Sequence, residues 1–140
     1  MSLYIVDASV AAKWFIEEPF AEAALKLVAG SHQLHVPDFF RLEMDSLFCK
    51  WIRHGLISEA DASNLRSVLR QIPLRQHSFE SLQDSAFAIA NQTRRSLYDC
   101  LYLALAVSLG GRMVTADRRF YHGLAQGPFA DHIAWIGELA

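Results

Sequence analysis

Two short β-rich runs, each followed by an acid, constrain the fold of this chain most. "LYIVD" covers Leu3 to Asp7, and "RMVTAD" covers Arg112 to Asp117. Leu3 to Val6 are all apolar, with no polar alternation. Runs of this kind are strands buried on both faces, as in a parallel sheet covered by its crossover helices. Segments of helical period lie between such runs. "ASVAAKWFIEE" places Val10, Trp14 and Phe15 at helical spacing until Pro19 breaks it, and "AEAALKLVAG" forms a second helix closed by Gly30. "LHV" (Leu34 to Val36) is a minimal strand, after which Pro37 is expected to open a helix that ends at Gly55. Ser58 and Asp61 predict a capping box for a helix to about Gln71. "IPLRQH" reads as an edge strand, because Pro73 is excluded from a central one. "FESLQDSAFAIANQT" and Ser96 to Leu109 are expected to be helical, as is Arg118 to Ala125, and "HIAWIG" closes as a last strand.

Strands alternating with helices define an α/β domain with a mostly parallel sheet of four to five strands. Right-handed crossovers place helices on both faces. The 140 residues are read as one domain, 1–140, with 52% hydrophobic and 20% charged residues placing it among globular chains. The longest apolar run, Cys100 to Leu109, falls short of the about 18 residues of a membrane span. The start, "MSLYIVDASV", has no basic region of the kind that opens a signal peptide. Cys49 and Cys100 lack metal-finger spacing and sit in apolar helical contexts, so both are expected as buried, reduced thiols of a cytoplasmic protein.

Open α/β sheets carry their sites at the carboxyl ends of the strands. Asp7 and Asp117 follow two strands whose ends share that edge. Asp99 lies at the start of the helix leading into "RMVT", and Glu43 is expected about two turns into the helix after "LHV"; both helices begin at the same edge. Taken singly, Asp7 and Asp117 read as N-caps, and Ser96-x-x-Asp99 fits a capping box. Glu43 is placed too deep to cap. No basic partner stands at capping distance from the aspartates. Carboxylates gathered without counter-charge repel one another, and a hard divalent cation removes that penalty. A set of oxygen ligands without His or Cys favours Mg²⁺ or Mn²⁺, ions that activate water and stabilise a phosphoryl transition state. Metal-assisted phosphodiester hydrolysis is therefore the expected chemistry.

The segments "YIVDASV", "VPDFFRLEMDSLF", "SLYDCLYLALA" and "MVTADRRFY", in this order and spacing, resemble the PIN-domain nucleases, and among them the VapC-type toxins of bacterial toxin–antitoxin pairs. The likeness covers essentially the whole chain. It implies a three-layer α/β/α sandwich and an acidic pocket for Mg²⁺ or Mn²⁺. Asp7, Glu43, Asp99 and Asp117 match the four family acids; Asp7 and Asp99 would hold the metal directly, and Glu43 would bind it or orient its water. Asp117 would act through water or a second metal. Ser9 and Thr115 match the pocket's hydroxyl residues. Ser46 stands where the family often has Asn, and Cys100 where it often has Ala. The resemblance also implies a homodimer and a small antitoxin whose tail covers the pocket.

Net charge is −2, but setting aside the four acids leaves 13 basic against 11 acidic residues. Arg118 and Arg119 follow Asp117, and Arg41 lies two before Glu43, positions from which they could hold an RNA backbone. Lys13, Arg94, Arg95 and Arg112 are further candidates. The six histidines (32, 35, 54, 77, 122 and 132) have no ligand spacing. Trp14, Phe15, Phe39, Phe40, Phe48 and Trp51 are expected in the core, with some left for a dimer face or a groove for a partner helix.

Three rival readings compete with this one. An aspartyl-phosphate phosphatase needs a second Asp two after the first, where this chain has Ser9. A response-regulator receiver needs a late lysine, and none follows Lys50. A PIN-like domain could serve only as an RNA- or protein-binding module, though retaining all four acids speaks for catalysis. The expected function is a Mg²⁺/Mn²⁺-dependent endoribonuclease that leaves a 5′-phosphate, either a VapC-type toxin or a housekeeping RNA-processing nuclease.

Overall fold

The computed structural model describes residues 2–139. Five strands form one all-parallel sheet in the order β3-β2-β1-β4-β5: β1 Leu3–Val6, β2 Gln33–Pro37, β3 Leu74–His77, β4 Arg112–Thr115 and β5 Ile133–Trp135. The helices are α1 Ala8–Ala11, α2 Ala21–Ala29, α3 Phe40–Arg53, α4 Glu59–Gln71, α5 Gln83–Thr93, α6 Leu97–Leu109 and α7 Arg118–Leu124. Connections stepping from β1 to β2 to β3 and those returning through β4 to β5 fall, by right-handed crossover, on opposite faces. The result is the three-layer α/β/α arrangement.

β1 is the central strand, and β4 flanks it opposite β2. Ile5, Val6, Met113 and Val114 are buried, and the register Ile5–Met113 and Val6–Val114 brings Asp7 and Thr115 level at the carboxyl edge. Helix α6 is apolar on all sides, with Cys100 to Ala106 buried. It packs against β1, β2 and β4 on one side and α5 on the other, which explains why it lacks a polar face. Gly110 ends it at φ 68°, a left-handed conformation that a side chain would disfavour.

Several expectations are corrected. The first helix stops at Ala11 and continues only as a 3₁₀ turn, Ala12–Trp14. A tertiary bond decides this, since the Trp14 indole N–H donates to the Ala24 carbonyl at 2.9 Å and turns the chain toward α2. Pro37 ends β2 rather than opening α3. The β1–β2 ladder already ends at Ile5–His35, so no pairing there needs its missing N–H. Because α3 starts at Phe40, Glu43 lies in its first turn, not its second. Cys49 is exposed, and only Cys100 is buried. The core-facing positions of α3 are Phe40, Met44, Phe48 and Trp51, and Cys49 is one step round the helix from them. Ser58 and Asp61 do form the capping box of α4, and β3 is the edge strand. His35 and His77 bridge β2 and β3 through Nδ1 and Nε2 at 2.8 Å. Among the described residues no helix is long and apolar enough to cross a membrane.

Candidate active site

The carboxyl edge opens into a cavity of about 380 Å³ lined by Asp7, Ser9, Lys13, Glu18, Asp99, Thr115 and Asp117, floored by Met113, Ala116 and Phe120. Asp7 and Asp117 are also N-caps. Asp7 Oδ1 accepts from the Val10 N–H at 2.9 Å and from the Ser9 hydroxyl at 2.8 Å. Asp117 Oδ1 accepts from the Phe120 N–H at 3.0 Å, and the Asp117 N–H donates to Thr115 Oγ1 at 3.1 Å. Each cap engages one carboxylate oxygen, and among the described residues Oδ2 of neither makes a hydrogen bond. Capping therefore orients these groups toward the cavity. Ser96 caps α6 by accepting from the Asp99 N–H at 3.1 Å. The reciprocal bond of a capping box, made by Asp61 on α4, is not made by Asp99, and its carboxylate remains in the cavity.

Glu43 lies across Ser9 from the three aspartates, in an adjoining hollow with Ala8, Ser9, Ser46 and Leu47. The Tyr102 hydroxyl donates to Glu43 Oε1. Ser46, the departure from the family's Asn, thus sits beside Glu43.

Burial without counter-charge dominates the electrostatics. Asp7 is 9% exposed, and burial raises its pKa from 3.8 to about 6 against the lowering effect of Val10 and Ser9, with Asp99 and Glu43 adding to the rise. Asp99 is raised by burial and by Asp117, with Ser96 and Arg95 opposing. Glu43 is raised by burial and by Asp99, with Tyr102 opposing. Tyr102 in turn is raised by burial and the Glu43 charge. Raised carboxyls that couple to one another in a cleft are the signature of a functional cluster. No ion pair relieves Asp7, Asp99 or Asp117 among the described residues; the ion pairs there are Lys13–Glu18 and Arg66–Asp45.

The donor set suits a hard cation, being carboxylates and hydroxyls without His or Cys. No three His, Cys, Asp or Glu side chains among the described residues are drawn tightly enough to enclose an ion by themselves. Mg²⁺ and Mn²⁺ do not require that, since Mg²⁺ keeps several waters and needs one or two carboxylates. Free Oδ2 atoms and raised pKa values fit such an ion.

The proposed RNA-binding arginines do not line this cavity. Arg118 lies over the Trp135 ring, Cζ 4.8 Å from its centroid. Arg119 is exposed. Arg41 turns a buried, unpartnered Nε into the protein. The cation that does line the cavity is Lys13, with Glu18 beside it. Glu18 and Tyr102 escaped the sequence reading. Tyr102 had a signal, lying three residues after Asp99 on the same face of α6. Glu18 had none.

A model of the PIN domain family matches residues 4–123, and the chain belongs to that family. Ribonuclease VapC3 of Pyrobaculum aerophilum is 34% identical over 117 residues, covering 82% of this chain and 89% of that protein. A crystal structure of a Pyrobaculum aerophilum protein superposes with a TM-score of 0.67 at 24% identity, covering 99% of this chain and 92% of that one. The structure of VapBC2 from Rickettsia felis, bound to a DNA fragment from their promoter, gives 0.63 at 11% identity over 95% of this chain and 98% of that one. These structural likenesses establish a shared fold.

Proposed function

We propose that residues 1–140 form a single divalent-metal-dependent endoribonuclease domain that hydrolyses RNA phosphodiester bonds at the Asp7–Asp99–Asp117 cavity, with Glu43 completing the site. The observation that carries this reading is the cavity itself, where the buried Asp7 and half-buried Asp99, both with raised pKa values, gather with Asp117, and none of the three is in an ion pair among the described residues. The relative named as a ribonuclease supports it.

Asp7 and Asp99 would hold Mg²⁺ or Mn²⁺, and Asp117 would support the ion from the same cavity. The ion, when bound, polarises the scissile phosphate and activates water. The chain's residues do the rest. Ser9 and the Val10 N–H fix the Asp7 carboxylate, and Thr115 fixes the start of α7 and so Asp117. Glu43, steadied by Tyr102, orients the attacking water and accepts its proton, a task its raised pKa favours. Arg118 and Arg119, at the first turn after Asp117, bind the RNA backbone outside the cavity, and Arg41 stands by on α3.

The proposal extends to a toxin of a VapBC-type pair that forms a homodimer and takes an antitoxin over the pocket. The structural neighbour solved as a VapBC complex supports that extension. Expression of the chain alone should arrest growth, and co-expression of the small protein encoded beside it should restore it. Growth unaffected by an active enzyme would instead favour a housekeeping nuclease. The enzymatic reading is tested by mapping cleavage of total RNA with Mg²⁺ or Mn²⁺ and with EDTA. Metal-dependent cuts lost in Asp7→Asn support it, and cleavage undiminished by EDTA would overturn it.

A further inference from the structure

Lys13 and Glu18 have no place in the mechanism above, yet both line the same cavity as the three aspartates. Lys13 Nζ lies 3.0 Å from Glu18 Oε1, with the lysine side chain 10% exposed and the glutamate 32%. We propose that Lys13 is the phosphate-binding cation of the active site and that Glu18 holds its ammonium in place until a phosphodiester oxygen of the RNA takes over as partner. The inference rests on the ribonuclease reading and adds the group that receives the substrate's charge.

Three features carry it. The first is placement. Lys13 belongs to the 3₁₀ turn after α1, which is pinned by the Trp14 indole on the Ala24 carbonyl. Beyond it, the Phe15 and Ile16 N–H groups both donate to the Ala12 carbonyl, at 3.1 and 3.2 Å, and close the turn after which Glu18 meets Lys13. The ammonium is thus held at the cavity by backbone geometry and not by a wandering surface side chain.

The second feature is the choice of partner. A lysine recruited only to neutralise the cavity's aspartates would pair with one of them. Lys13 pairs with Glu18, and among the described residues none of the three aspartates forms an ion pair. The aspartates are left for a metal, and the lysine is left for an anion. An ammonium has three donors, and among the described residues Glu18 accepts the only hydrogen bond from Lys13. Two donors therefore remain, beside a partner that water can reach and solvate on leaving.

The third feature is charge. Four carboxylates and one ammonium line the cavity, a formal charge of −3. One divalent ion leaves it still negative. A phosphodiester enters such a site against repulsion unless a positive group faces it directly, and Lys13 is the one cationic side chain among the lining residues. A cation fixed where charge develops acts with most effect in a site of low dielectric.

The test uses the full chain, a random-sequence pool of fluorescein-labelled single-stranded RNA, and the variants Lys13→Met, Lys13→Arg and Glu18→Gln. Turnover is measured with Mn²⁺, and binding is measured in EDTA across a salt series by anisotropy. Lys13→Met should lower kcat/KM by about 10²-fold and flatten the slope of log affinity against log salt by about 0.7, the loss of one phosphate contact on a single strand. Lys13→Arg should restore the slope. Glu18→Gln should bind RNA several-fold tighter, because the competing carboxylate is gone. A Lys13→Met protein that binds and cleaves as wild type overturns the inference while leaving the ribonuclease reading intact. So does an unchanged salt slope, or a Glu18→Gln protein as impaired as Lys13→Met, which would make the pair a structural strut. A wild-type chain that cleaves no RNA with either metal overturns the ribonuclease reading and this inference together.

Discussion

Two aspartates of this chain each accept a backbone N–H at a helix start, in opposite surroundings. Asp61 lies in the first turn of α4 and accepts from the Ser58 N–H at 3.0 Å, while the Ser58 hydroxyl accepts from its own N–H. Asp7 caps α1 through the Val10 N–H. The backbone and Ser58 hydrogen bonds hold the exposed Asp61 below the usual carboxylate range, whereas burial drives Asp7 up to about 6. The hydrogen bonds are alike, so capping does not create the difference. The difference comes from burial beside other carboxylates, with no ion pair to Asp7 among the described residues. A cap stabilises a helix, and a cap of this second kind also stores electrostatic cost that a metal can relieve.

The sharpest way to break the comparison is to neutralise each partner. Asp7→Asn and Asp99→Asn should each lower metal-dependent RNA cleavage by more than about 10³-fold while circular dichroism shows a folded protein. Asp61→Asn should leave cleavage at the wild-type level. Next in size is Glu43→Gln, which removes the proposed proton acceptor and should cost about 10²- to 10³-fold in kcat.

Stability against pH sharpens the same contrast. In the metal-free protein the folded state keeps the Asp7 proton up to about pH 6, whereas the unfolded chain releases it near 3.8. Between those values the folded state binds more protons, so stability falls as pH rises and stays low above. For Asp7 the loss is about 3 kcal/mol, and Asp99 and Glu43 act in the same direction. Chemical denaturation in EDTA should therefore give greater stability at pH 5 than at pH 8. Mn²⁺ should reverse the trend, and Asp7→Asn should flatten it. Asp61, whose shift is downward, contributes the opposite slope.

The smallest effect belongs to Tyr102→Phe. The Tyr102 bond lowers the Glu43 pKa, so its loss should move the acid limb of the pH–rate profile to higher pH and reduce the rate at neutral pH by less than about tenfold. A rate loss without a shift of that limb would mean that Tyr102 acts by packing alone, through its edge contact with Phe39.

The acids were legible because their positions follow from sheet geometry. Once "LYIVD" and "RMVT" are parallel strands, Asp7 and Asp117 must meet at one edge, and the helix entering β4 must deliver Asp99 there. The Ser58–Asp61 capping box was equally readable, since it is encoded within four residues of chain. What escaped depended on contacts distant in sequence. The short first helix is set by Trp14 reaching Ala24, and the Lys13–Glu18 pair by the turn at Phe15 and Ile16 that closes on the Ala12 carbonyl. The tyrosine steadying Glu43 lies 59 residues away in the chain. The stacking of Arg118 on the Trp135 ring likewise joins two separate elements, α7 and β5. Placement along a strand and pairing within one helical turn carried information, and contacts set by tertiary packing did not.

The central claim is that the strand-end carboxylates form a divalent-metal site, and calorimetric titration of the metal-free protein with Mn²⁺ near pH 6 tests it most directly. The account predicts a saturable site whose binding releases protons, seen as a heat that varies with the buffer's ionisation enthalpy, and which is lost in Asp7→Asn and Asp99→Asn but kept in Asp61→Asn. Mn²⁺ binding of equal strength in wild type and Asp7→Asn, with no proton release, would contradict it.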